Sequence, residues 1–146
     1  MIAAYDLDGV LCEPFHLKGK PWQKMNGEER RAKLKALLGI YETVRPLFQP
    51  EERSFHIITS RKDNVEVRGV TVAWLQKHFP GRVESLNMLR VSRNIENVVA
   101  FKAQVLRDLK ATDFTEDNWK VVRELRKQGL DCRIWHYTNG NQVLDC

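Results

Sequence analysis

The sequence predicts an α/β protein, a three-layer α/β/α sandwich around a mainly parallel sheet, and three observations carry that expectation. Short apolar, β-branched runs alternate with longer segments whose apolar residues recur every three or four positions. Strand-helix alternation of this kind is the pattern of crossover connections, which place helices on both faces of a parallel sheet. Finally, 146 residues with 42% hydrophobic content suffice for one substantial core and are too few for two full domains, so a single domain over 1–146 is expected.

Each element has its own signal. Ile2 to Tyr5 is an apolar run and reads as the first strand. Phe15 to Asn26, punctuated by Gly-Lys-Pro and Asn-Gly, reads as loop or hairpin. Leu34, Leu37, Leu38, Tyr41 and Val44 form one stripe on a helix that Pro46 ends. Phe55 to Thr59 reads as a strand, and Val67, Val70, Thr71, Trp74, Leu75 and His78 restore the helical period up to Pro80-Gly81. A weaker strand is expected over Val83 to Leu89, then a helix from about Glu96 to Leu109 with Val98, Phe101, Val105, Leu106 and Leu109 as its stripe. Asp113 to Thr115 reads as a short strand. The helix carrying Val121, Val122 and Leu125 closes at Gly129, and Cys132 to His136 reads as the last strand. Tyr137 to Asn141 reads as a turn around the hairpin-prone Asn139-Gly140 pair. The chain has no internal repeat or low-complexity tract.

Composition excludes some classes. No apolar run approaches the roughly 20 residues that span a bilayer, and the N-terminus reads as a strand, so a cytoplasmic protein with no membrane partner is expected. Cys12, Cys132 and Cys146 make no CxxC pair and read as reduced thiols, Cys12 as a small packed hydrophobe before a reactive group. Trp22, Trp74, Trp119 and Trp135 are spread along the chain and read as core or cover before a base-stacking platform. The net charge is +5, and Lys18, Lys20, Lys24, Arg30, Arg31, Lys33 and Lys35 cluster against only Glu28 and Glu29. Such a cluster either attracts polyanions, nucleic acid included, or is the solvated face of a helix, the commoner case. Oligomeric state has no signal in the sequence.

The chemistry-bearing residues fall where strands are expected to end. Asp6-Leu7-Asp8-Gly9-Val10 directly follows the first strand, placing two carboxylates on alternate residues before a glycine turn. The turn at Gly9 frees the local geometry, so that one carboxylate can hold a metal while the other faces a leaving group. Alone, the motif is equally a strand-end turn or a calcium loop. Thr59 ends the second strand, with Ser60 and Arg61 behind it, where a hydroxyl and exposed amides can meet a phosphoryl oxygen. Lys102 lies on the apolar stripe of its helix, where an ammonium is costly without an anionic partner. Glu116 and Asp117 follow a short strand, with Asp113 a third acid nearby, and read as metal ligands or as charges favouring a helix N-terminus. Crowding these acids together calls for a divalent cation as well as Lys102, and Mg2+ suits an all-oxygen site.

The ordered set Asp-Leu-Asp-Gly-Val at 6–10, Ile-Ile-Thr-Ser-Arg at 57–61, Lys102 and Glu-Asp at 116–117 resembles the haloacid dehalogenase-like (HAD) superfamily and spans nearly the whole chain. The resemblance implies a Rossmannoid fold and a Mg2+-dependent phosphatase acting on a phosphorylated substrate, a nucleotide or a nucleic-acid end among them. It implies that Asp6 is the nucleophile that forms an aspartyl-phosphate and Asp8 the general acid and base. Thr59 would donate a hydrogen bond to the phosphoryl group, and Lys102 would neutralise its charge. It implies a metal site of Asp6, the Asp8 carbonyl and Asp117, with Glu116 or Asp113 sharing the role. Asp8 argues against the dehalogenase branch. The interval of about 12–45 offers only a flap and a short helical insertion, so a minimal cap and an open site are implied. The alternative from another class is a non-catalytic module that binds nucleic acid or a protein partner through the basic insertion at Lys18 to Lys35.

Overall fold

The first strand, β1 (Ala3–Tyr5), is fully buried and sits at the centre of the sheet. The computed structural model describes residues 1–15 and 19–144; Lys18 and Cys146 lie outside the described residues. The remaining strands are β2 (Phe55–Lys62), β3 (Val83–Leu89), β4 (Asp113–Glu116), β5 (Arg133–Thr138) and β6 (Asn141–Val143). Four helices join them: α1 (Gly27–Thr43), α2 (Val65–His78), α3 (Ile95–Leu109) and α4 (Trp119–Arg126). The six strands run in the order β3-β2-β1-β4-β5-β6, all parallel except β6 against β5, an arrangement compatible with a Rossmann-like fold.

Alternation along the strands separates two cores. Ala4, Ile58, Phe114 and Ile134 meet Val98, Ala103 and Leu106 of α3 and Val121, Val122 and Leu125 of α4. Ala3, Tyr5, Phe55 and Ile57 instead meet Trp74 and Leu75 of α2, together with Leu7, Val10 and Leu11 from the loop after β1. A smaller cluster seats Tyr41 of α1 on Val67 and Met88, with Leu34, Leu37 and Leu38 packed around it. Period-2 strands and period-3.6 helices produce this division directly.

Two elements, β2 and the chain after β5, differ from the sequence expectation, while α1 follows the span Phe15 to Asn26 as expected. The helix α1 begins at Gly27, a turn and more before its apolar stripe, because Asn26 caps it reciprocally with Glu29. Its last helical residue is Thr43, with Val44 already extended ahead of Pro46. The strand β2 continues past Thr59 to Lys62, and its register against β3 shifts between those two residues, leaving Ser60 and Arg61 in an irregularity. Beyond β5, Asn139 and Gly140 both take positive φ, 51° and 78°, and turn the chain back into β6. Among the described residues, no helix is long and apolar enough to cross a membrane.

The strand order locates the site. Connections leave β1 toward β2 on one side and reach β4 on the other, so the loops after β1 and β4 diverge and open a crevice at the carboxyl edge. Asp6 leaves β1 and Glu116 ends β4 at that crevice, still joined by the Asp6 amide donating to the Thr115 carbonyl at 2.9 Å.

Candidate functional site

Two groups of charged side chains occupy this edge. In the first, Asp6, Glu116 and Asp117 each bring a carboxylate oxygen within 4.8 Å of the others. Lys102 reaches them from α3, with Nζ 3.2 Å from Asp6 Oδ1 and 2.5 Å from Glu116 Oε1. Lys102 is only 1% exposed. The other Glu116 oxygen accepts the backbone amides of Asp117 and Asn118 at 3.1 and 3.2 Å, so this side chain is committed on both sides. Asp117, by contrast, makes no ion pair with any described residue.

The electrostatics follow from three carboxylates around one ammonium. Burial and then the Glu116 charge push the Asp6 carboxyl well above the usual carboxylate range, against the pull of Lys102. Burial and then Asp6 push Asp117 up to about 6. Burial works to discharge Lys102, but Asp6 and Glu116 outweigh it and hold the ammonium charged.

The donor set fits a hard divalent cation. It is all oxygen, its Asp117 carboxylate makes no ion pair with a described residue, and its excess of two negative charges over Lys102 equals the charge of Mg2+. The chain also makes room for Asp117: Gly9 has φ +85°, and a Cβ there would fall 2.0 Å from Asp117 Oδ2. Glycine at position 9 therefore serves both the turn and the seat of the carboxylate.

The second group is built around Asp8. Arg61 donates from Nε to Asp8 Oδ2 at 2.9 Å and from Nη2 to Oδ1 at 2.6 Å, a bidentate pair. Its Nη1 donates to Thr71 Oγ1 at 2.9 Å, and the ring of Tyr41 lies 3.5 Å from its guanidinium carbon. Arg61, expected to bind substrate, is 3% exposed and lies beneath Asp8 instead. The irregularity in β2 that follows Thr59 turns it inward. Cys12 packs against the same pair, its thiol 3.4 Å from Asp8 Oδ1, and burial and the Asp8 charge raise its pKa, in keeping with a packed thiol.

A cavity of about 690 Å³ opens over both groups. Asp6, Asp8, Ser60, Lys102, Glu116 and Asp117 line its floor, and Phe15, Leu37 and Tyr41 form the wall on the insertion side. Thr59 does not line it; the threonine is buried within β2, and its Oγ1 accepts the Arg61 amide at 3.2 Å. Asp113 is also absent from the site. It stands beside Ala3 at the opposite end of β4, bound by Arg133, Trp135 and Thr112. Burial raises its carboxyl, and these three partners outweigh that and hold it below the usual range.

The basic cluster divides. Lys20 pairs with Glu29, Arg30 lies over the Trp22 ring, and Arg31 and Lys35 face solvent. Lys33 alone of the described members lines the cavity. Two further cations there, Arg93 before α3 and Lys120 in the first turn of α4, belong to no sequence motif. Burial and Asp8 raise the Tyr41 phenol to about 12, while Arg61 and Arg93 pull the other way, which places Arg93 within electrostatic reach of the α1 wall.

No protein-family model, curated protein or solved structure matches this chain.

Proposed function

We propose that this protein is a HAD-like phosphatase, a Mg2+-dependent phosphomonoester hydrolase with a three-layer core and the α1 insertion as a minimal cap. The observation that carries the reading is the junction of Asp6, Glu116 and Asp117 around the buried Lys102 at the switch in strand order. Asp6 and Asp117, with the Asp8 carbonyl, would hold the cation, which when bound shields the negative charge of phosphate and carboxylate from each other.

The chain's own groups supply the rest. A carboxylate oxygen of Asp6 attacks phosphorus, forming an aspartyl-phosphate as the bond to the leaving oxygen breaks. That oxygen takes a proton from Asp8. Water then attacks phosphorus and gives its proton back to Asp8 as the Asp6–phosphorus linkage breaks, releasing inorganic phosphate. Lys102 offsets charge throughout. Ser60, on the cavity floor, takes the hydroxyl role expected of Thr59, which instead holds the turn into Arg61. Asp8 can carry the transferred proton only after leaving Arg61, so substrate entry must open that pair.

The test is hydrolysis of p-nitrophenyl phosphate with and without Mg2+. Turnover that requires the metal and disappears in Asp6→Asn supports the reading. Equal turnover in the variant, or indifference to EDTA, overturns it and leaves the non-catalytic binding module as the alternative.

A further inference from the structure

Three cations at the cavity come from separate segments of the chain: Lys33 from α1, Arg93 from the β3–α3 loop and Lys120 from α4. Among the described residues, none of the three side chains makes an ion pair or hydrogen bond. Other surface cations are paired, as Lys20 with Glu29, Arg45 with Glu13 and Lys127 with Glu124, and those that are not, such as Arg31 and Lys35, lie off the cavity. The proposed catalytic cluster already has Lys102 and a place for a cation to meet one phosphoryl group, so these three charges exceed what that group needs.

Apolar side chains share the cavity lining with these charges. Leu37 contributes on the α1 side and Ile95 and Val98 on the α3 side, and a volume of about 690 Å³ is of nucleotide size. A ligand that meets both sets of charges has a phosphoryl group at Asp6, a body that packs on these apolar side chains and a second, strongly anionic group. Arginine with two lysines matches a phosphate better than a single carboxylate, in charge and in number of acceptor oxygens.

We infer that the preferred substrate is a bisphosphorylated compound of nucleotide size, whose second phosphate is held by Lys33, Arg93 and Lys120 while the first is hydrolysed. The inference rests on the phosphatase reading for the reaction but not for the binding of the second phosphate. The same chemistry is offered by a free nucleoside bisphosphate and by a phosphorylated strand end.

The experiment compares kcat/KM of the full chain with Mg2+ for adenosine 3′,5′-bisphosphate, adenosine 5′-monophosphate and a 5′-phosphorylated oligonucleotide. Wild type is expected to favour the two substrates with a second phosphate over the monophosphate by about ten-fold or more, and Lys33→Ala/Arg93→Ala/Lys120→Ala to bring that ratio close to one. Lys24→Ala/Lys35→Ala, which lie off the cavity, should leave the ratio where it was. Lys33→Gln and Lys120→Gln singly keep the test open if the triple variant folds poorly. Whichever phosphate-rich substrate is better identifies the source. A wild-type ratio near one, or a ratio that the triple variant does not move, overturns the inference and leaves the phosphatase reading intact. Calorimetric binding of the bisphosphate to Asp6→Asn separates the two in the other direction. Binding that weakens about ten-fold without the three cations, where wild type itself turns over none of the three substrates, upholds the second-phosphate site and removes the phosphatase.

Discussion

Two buried ionic clusters sit side by side at one edge of the sheet, and they differ in balance. Around Lys102 one ammonium faces three carboxylates; around Asp8 one guanidinium faces one carboxylate, with both oxygens taken and an aromatic ring over the back. The second is complete by itself and behaves as a lock. The first is complete only with something brought from outside, which is the electrostatic condition of a binding site. Proximity to the carboxyl edge does not separate the two; their charge count does.

Neutralising one carboxylate in each cluster should therefore have opposite consequences. Asp6→Asn removes repulsion from the overloaded cluster, so the metal-free variant should melt above wild type. On the proposed phosphatase mechanism, its turnover should fall by at least about 10³-fold, or roughly 4 kcal/mol of barrier. Asp8→Asn strips the guanidinium of the one anionic partner it has among the described residues while leaving it buried, and should destabilise the fold by about 3 kcal/mol. Thermal melts of the two variants in EDTA test the contrast. Two shifts of the same sign would mean that the clusters are not different in kind.

The sequence carried this contrast only partly. Lys102 was legible because a charged residue on an apolar helical stripe needs a partner, and Asp6, Glu116 and Asp117 because they follow apolar strand-like runs. The strand at Val83–Leu89 matches its expected span, since apolar content and flanking turns bound it on both sides. Arg61 was misplaced because a register shift inside a strand leaves no residue-type signature, and that shift decides whether its side chain meets ligand or Asp8. The first turns of α1 escaped the stripe because they bear charged, solvent-facing residues; Asn26 and Glu29, spaced as a capping box, were the available signal. Arg93 and Lys120 had none, as only the fold brings them to one cavity.

Metal and pH sharpen the comparison further, because both act on the overloaded cluster. The Asp117 carboxyl titrates near 6 in the folded chain, and Asp6 is raised as well, against about 3.9 when unfolded. A raised carboxylate contributes stability that is present at low pH and lost as pH rises through its folded value. The metal-free protein should accordingly lose stability between about pH 4 and pH 7 on this account. Mg2+ at a hundred times its Kd should restore about 2.7 kcal/mol at neutral pH and flatten the profile. Gly9→Ala should abolish this metal response, because its Cβ claims the space of Asp117 Oδ2. Calorimetric melts across pH, with Mg2+ and with EDTA, read all three effects. A metal-free protein that grows more stable over the same window would remove the argument for a cation.

The smallest effect tests whether the insertion takes part in the lock. Tyr41 belongs to α1, yet its ring covers Arg61, and Phe15 meets it edge-on at 5.3 Å between centroids. The helix that walls the cavity is thus attached, through one aromatic face, to the arginine that holds Asp8. If the attachment is the ring over the guanidinium, Tyr41→Phe keeps it and Tyr41→Leu loses about 1 kcal/mol. The destabilisation should vanish when Arg61 is already absent, so a double-mutant cycle of Tyr41→Leu with Arg61→Met should return a coupling of about 1 kcal/mol. Additive losses would detach α1 from the Asp8 lock and make it a wall of the cavity alone.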